Sequence, residues 1–171
     1  NAPQREVIDE SQLKRMMREE GSFLKRNAHQ IVTLVLIGVT VAVYLVEVVL
    51  NGLNPDISSR VLIDMGAMFP VYIEGPADLY RFVVPMFLHM DLMHLLFNMV
   101  ALYSVGMTLE RILGKAGFLA LYFVSGITGN VASYAWGLLA ENGVTVSAGA
   151  STSVFGLFVA VALLGVLARG D

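Results

Sequence analysis

A chain of 171 residues that is 56% apolar and only 15% charged lies well below the roughly 25% charge of a soluble globular domain, and its strongly positive mean hydropathy is that of a membrane protein. A net charge of −3 is too small to point to nucleic acid or to a strongly charged substrate, and the lack of cysteine excludes disulfides, thiol catalysis and cysteine-based zinc sites. The mixed charges before residue 31 leave no room for the compact apolar core of a cleavable signal. A chain that opens at Asn1 and stops at Arg169-Gly170-Asp171, directly after an apolar segment, is expected to be a piece of a longer protein.

Residues 1–30 are polar, with Lys14, Arg15, Arg18, Lys25 and Arg26 approaching the first apolar run. Leu13, Met16, Met17 and Glu20 fall at helical spacing, so this segment reads either as a surface-lying amphipathic helix or as a solvated tail. Residues 31–50 are apolar apart from Glu47 and match the ~20 residues that cross a hydrocarbon core. Glu47 lies within a turn of the end of that span, where reaching the interface is favoured over an intramembrane chemical role. The connection 51–82 is punctuated by Asn51, Gly52, Asn54, Pro55, Gly66, Pro70, Gly75 and Pro76. It also carries Val61, Leu62, Ile63, Met68, Phe69, Val71 and Ile73, so it is expected to pack on the membrane face through short helical turns.

A second span is expected over 91–109, with Asp91 capping its start, Pro85 before it and Glu110-Arg111 closing it. Gly114-Lys115-Ala116-Gly117 reads as a turn, and 118–140 as the third span. There Ser125, Gly126, Gly129 and Ser133 form a close-packing surface, while Tyr134 and Trp136 favour the interface. Glu141-Asn142-Gly143 turns the chain into a short fourth span, 151–168. With the N-terminus inside, nine basic residues fall on the cytoplasmic side and only Arg60 and Arg81 outside, as the positive-inside rule favours.

Two stretches carry the chemistry. His94 and Asn98 are four residues apart, so they share one helix face; polar groups there are costly in lipid unless they line a polar cavity or find partners. His89, Asp91 and His94 do not have the spacing of a helical metal site, so no metal is expected. In Ser147-Ala148-Gly149-Ala150-Ser151-Thr152-Ser153-Val154-Phe155-Gly156, the hydroxyl of Ser151 reads either as helix packing or as a nucleophile. If the second and fourth spans are neighbours, the former can supply the latter with an oxyanion site.

Gly149-Ala150-Ser151-Thr152, preceded by a separate span with His89-x-x-x-x-His94-x-x-x-Asn98 and by Arg81 in the apolar first loop, resembles the rhomboid intramembrane serine proteases. The resemblance covers most of residues 31–168 in order. It implies an all-α polytopic membrane helix bundle of six or more spans, four of them present here, with 1–30 as a cytoplasmic segment and 31–171 as an incomplete rhomboid domain. Carried over by position, it makes Ser151 the nucleophile, and His94, Asn98 and the Ser151 N–H the oxyanion donors. His89 falls on the outer histidine, implying hydrogen bonding or water access; Gly149, Ala150 and Phe155 would line the site; Arg81, Glu110 and Arg111 would be structural.

Thr152 stands where many members have glycine. The base histidine of the family comes from a sixth span, and none of His29, His89 and His94 replaces it, so this chain alone is expected to be inactive. The implied partners are membrane-anchored protein substrates, the lipid bilayer and the remaining C-terminal spans, in the same or another chain; no cofactor is implied. The implied location is a bacterial plasma membrane. A rhomboid-like pseudoprotease that binds transmembrane segments without cutting them is the alternative, and a small transporter lacks the expected paired half-spans.

Overall fold

The structure, a computed structural model, describes residues 9–26, 29–139 and 146–168. The expected turn at Glu141-Asn142-Gly143 and the flanking Arg169 lie outside them. Among the described residues five α-helices follow in order: α1 (Glu10–Arg26), α2 (Ile31–Leu50), α3 (Ser59–Met65), α4 (Leu92–Leu139) and α5 (Ser151–Leu167). Between α3 and α4 run three 3₁₀ turns, Pro70–Tyr72, Pro76–Phe82 and Val84–Phe87. The all-helical expectation holds: among the described residues there is no strand, only an isolated antiparallel bridge between Met68 and Ser147.

α2 spans about 30 Å at 1.5 Å per residue. Only 28% of its most apolar window is buried, which is the reverse of a soluble core helix. Its buried positions are Thr33, Leu36, Thr40, Tyr44 and Glu47, a stripe at intervals of three and four. The polar side chains thus face the protein while Leu34, Val35, Leu45 and Val46 face outward. Such an arrangement suits a helix whose surroundings are hydrocarbon, because each polar group must then find its partner inside.

Among the described residues, α2 and α4 are the two helices long and apolar enough to cross a membrane. The turn anticipated over 114–117 is narrower in the structure: the helix is interrupted at Gly114 alone, at φ 73 and ψ 169, and resumes at once. Positive φ costs glycine nothing and other residues a good deal, so one residue suffices to redirect the chain.

Close helix contacts follow the small residues. A Cβ added to Gly126 would run into Ser153 and Met86; one on Gly129 would come 2.5 Å from Thr152 Cβ, and one on Gly156 would strike Ser125. The C-terminal limb of α4 therefore meets the first turns of α5 nearly backbone to backbone, which dispersion forces reward in a membrane. Gly106 serves α2 in the same way, with a Cβ there falling 2.9 Å from Thr33 Cγ2. Between these contacts Leu102, Leu109, Phe118, Tyr122 and Leu157 are fully buried.

Candidate active site

The first loop is held in place by side chains that bind backbone carbonyls. Arg81, 8% exposed, donates from one terminal nitrogen to Ile63 O and Ala67 O, each at 3.0 Å. Its guanidinium also lies over the rings of Tyr72 and Tyr80, at 5.5 and 5.2 Å from their centroids. Asn130 of α4 donates to Phe82 O at 2.8 Å, and Tyr44 of α2 donates to Pro55 O at 2.6 Å. Neither Asn130 nor Tyr44 stood out in the sequence. The available signal was a lone amide four residues after Gly126 in an otherwise apolar run, since such a group needs a partner.

The loop ends at His89, fully buried, whose backbone N–H donates to both carboxylate oxygens of Glu47 at 3.2 and 3.3 Å. Glu47 does not reach out to the interface; it is fully buried. α4 then starts with a side-chain cap, Asp91 Oδ1 accepting from the His94 N–H at 2.7 Å. One turn on, Asn98 donates to His94 O at 2.8 Å, leaving its second amide hydrogen for another acceptor. The His89 and His94 rings lie 5.1 Å apart. Burial first, and then the neighbouring His94, push the His89 imidazole down from 6.5 to about 4.

The Ser151 segment arrives from the other side. Ser147 is bridged to Met68, after which Gly149 N–H donates to Pro85 O at 2.8 Å and Ala150 N–H to His89 Nε2 at 3.4 Å. Gly149 has φ +134, and a Cβ there would come within 2.6 Å of His94 Cε1, 2.8 Å of His94 Nε2 and 3.4 Å of Ser151 Oγ. The imidazole tip and the hydroxyl therefore crowd the same small space, which exists only because residue 149 has no side chain. Ser151 is the first residue of α5. Its N–H is one of the helix-initial donors without an intrahelical acceptor, at the positive end of the helix dipole. A helix-start N–H, an imidazole and a carboxamide on two adjoining helices, beside a serine hydroxyl, are donors that can stabilise developing negative charge on a carbonyl oxygen.

Phe155 lies one turn beyond Ser151 on the same exposed face and is 72% exposed. Glu110 is at the other end of the molecule, buried and accepting from Val32 N, Thr33 N and Thr33 Oγ1 at 2.9, 2.8 and 2.7 Å. Arg111 next to it is exposed. His29 stands just before α2, and Glu47, which holds the His89 N–H, lies about 24 Å along that helix from its first residue.

Fold and site together define an all-helical protein with apolar helices of membrane-crossing length and a serine presented at a helix start. Residues 76–171 match the family model for the Rhomboid domain. Rhomboid protease GluP of Bacillus subtilis is 42% identical over 77 residues, 45% of this chain and 14% of that protein. Rhomboid-like protease 1 of Toxoplasma gondii is 36% identical over 115 residues, 67% of this chain and 38% of the relative. Rhomboid protease AarA of Providencia stuartii is 28% identical over 138 residues, 75% of this chain and 48% of the relative. No solved structure matches. The chain belongs to the rhomboid family and is an integral membrane protein; it spans less than half the length of these relatives.

Proposed function

We propose that the whole protein is an intramembrane serine endopeptidase, in which Ser151 attacks the scissile carbonyl of a membrane-anchored substrate. The observation that carries this reading is the shared space over Gly149, where His94 Nε2 and Ser151 Oγ converge. As Oγ adds to the carbonyl carbon, the carbonyl oxygen takes up negative charge. The Ser151 N–H, His94 and Asn98 are the donors for that oxygen, and loss of one such donor typically costs about 10²–10³ in rate. His89, Gly149, Ala150 and Phe155 line the site, and Arg81, Glu110 and Arg111 are structural.

The proton leaving Ser151 needs a base. His29 is a span's length away, His89 Nε2 already accepts from Ala150, and His94 is committed to the oxyanion. The rhomboid resemblance implies a base histidine from a later span, and on that reading residues 1–171 alone are proposed to be inactive. Four spans fit the lengths: α2, the limbs of α4 on either side of Gly114, each beyond the ~20 residues that cross a hydrocarbon core, and α5. The excess of basic residues on one side supports an N-terminus, with residues 1–30, on the cytoplasmic side, and the location proposed for the protein is a bacterial plasma membrane.

The test is fluorophosphonate labelling of the full-length protein. Labelling is expected in the wild type, none in S151A, and a large loss in H94A and N98A. Labelling that persists in S151A would refute the nucleophile. A labelled protein that cuts no transmembrane peptide would favour the non-cleaving alternative.

A further inference from the structure

Glu47 is a carboxylate in the first span with no lysine or arginine within ion-pair distance among the described residues, where the ion pairs are Lys14–Glu10 and Arg60–Asp64. It is fully buried. An unpaired buried carboxylate is costly, and an apolar side chain would pack the same place more favourably. Glu47 is instead devoted to a single donor, the backbone N–H of His89, which both of its oxygens accept. The ring of the same His89 accepts the backbone N–H of Ala150, the residue immediately before Ser151. Three elements distant in sequence are joined in one line, from α2 through the end of the first loop to the start of α5.

We propose that Glu47 is a positioning residue for the nucleophile, setting the backbone of His89 so that the His89 ring fixes the Ala150 N–H and, with it, the Ser151 N–H and Oγ. The proposal rests on the reading of Ser151 as nucleophile. Its physical content is orientation: the peptide plane at Ala150 is pinned by one bond to an imidazole whose own backbone is pinned by a carboxylate. A carboxylate suits this because two acceptor oxygens straddle one donor, and an amide oxygen can still hold that donor from one side. A catalytic constellation must be held to within a fraction of an ångström, and a shift of about 1 Å can cost 10² in rate.

The experiment compares E47L, E47Q and E47D with wild type and S151A, each as the full-length protein in lipid. It reads the second-order rate of fluorophosphonate labelling, kcat and KM on a fluorogenic transmembrane peptide, the pH profile of labelling, and the thermal midpoint. E47L is expected to lower labelling and kcat at least tenfold with KM within about twofold. Its acid limb should move to higher pH as the His89 ring loses its fixed setting. E47Q, which keeps one acceptor oxygen, should restore most of the rate. If E47L does not fold, E47D carries the test, since it draws the oxygens back by about 1.5 Å and must slow labelling where E47Q does not. Wild-type labelling and an unmoved pH profile in E47L overturn the proposal. So do rates that fall only in step with the thermal midpoint, alike in all three variants. Labelling that survives in S151A is a different result: it removes the nucleophile reading and the positioning role with it.

Discussion

Glu110 and Thr33, 77 positions apart in sequence, are joined at 2.7 Å by the threonine hydroxyl and at 2.8 Å by its backbone N–H. With the Val32 N–H, these bonds make Glu110 a cap for α2 supplied from another helix, where a negative charge also favours the dipole. Gln30, the residue at the cap position, provides no side-chain cap bond to α2.

Removing that cap should destabilise the fold without touching the site. E110A leaves three donors short of an acceptor at the start of a membrane helix, and a loss of about 2–4 kcal/mol is expected. Reversible unfolding in mixed micelles checks this, with E110Q expected to lose less because it still offers one oxygen.

Gly149 should tolerate no side chain. In G149A the Cβ meets the His94 ring, and the positive φ adds strain on the order of 1–2 kcal/mol. Labelling of the full-length protein should fall about 10²-fold, as for a lost oxyanion donor, while the helix content by circular dichroism stays unchanged.

Two glycines in spans make an internal contrast. G126A drives a methyl group into Ser153 and Met86, for an expected cost of about 1–3 kcal/mol. G38A meets nothing within 4 Å in α2, so it should be neutral or stabilising by about 0.5–1 kcal/mol. Thermal midpoints of the two variants should move in opposite directions, or G126A alone should move.

The buried His89 gives stability an acid limb. Its imidazole takes a proton at about 4 in the folded protein against 6.5 in the open chain. Between those values the unfolded state binds more protons, so stability should decline as pH falls from about 6.5 to about 4 and level off below. Glu47 at its backbone and His94 and Asp91 beside it are the titratable groups facing this residue. H89Q should flatten the slope; a slope unchanged in H89Q would assign it to another group.

The apolar run 31–50 was legible because length and composition are what a bilayer reads, and α2 is the helix Ile31–Leu50. The small residues Ser125, Gly126 and Gly129 were legible for the same reason: close approach in lipid requires them. The hook between His94 and Asp91 could be read from their spacing. Glu47 could not, because its partner is a backbone amide 42 residues away, and no side chain in the sequence marks that contact. The Gly-Lys-Ala-Gly stretch read as a turn; the fold uses only Gly114 for the bend and keeps the rest helical.

The bridge between Met68 and Ser147 consists of two backbone hydrogen bonds, at 3.0 and 2.9 Å, four residues before Ser151. It yokes the lip of the first loop to the run of backbone that leads into Ser151. Peeling that lip away thus tugs on the tether of Ser151, and the amide protons of Met68 and Ser147 should exchange with solvent in a single shared opening.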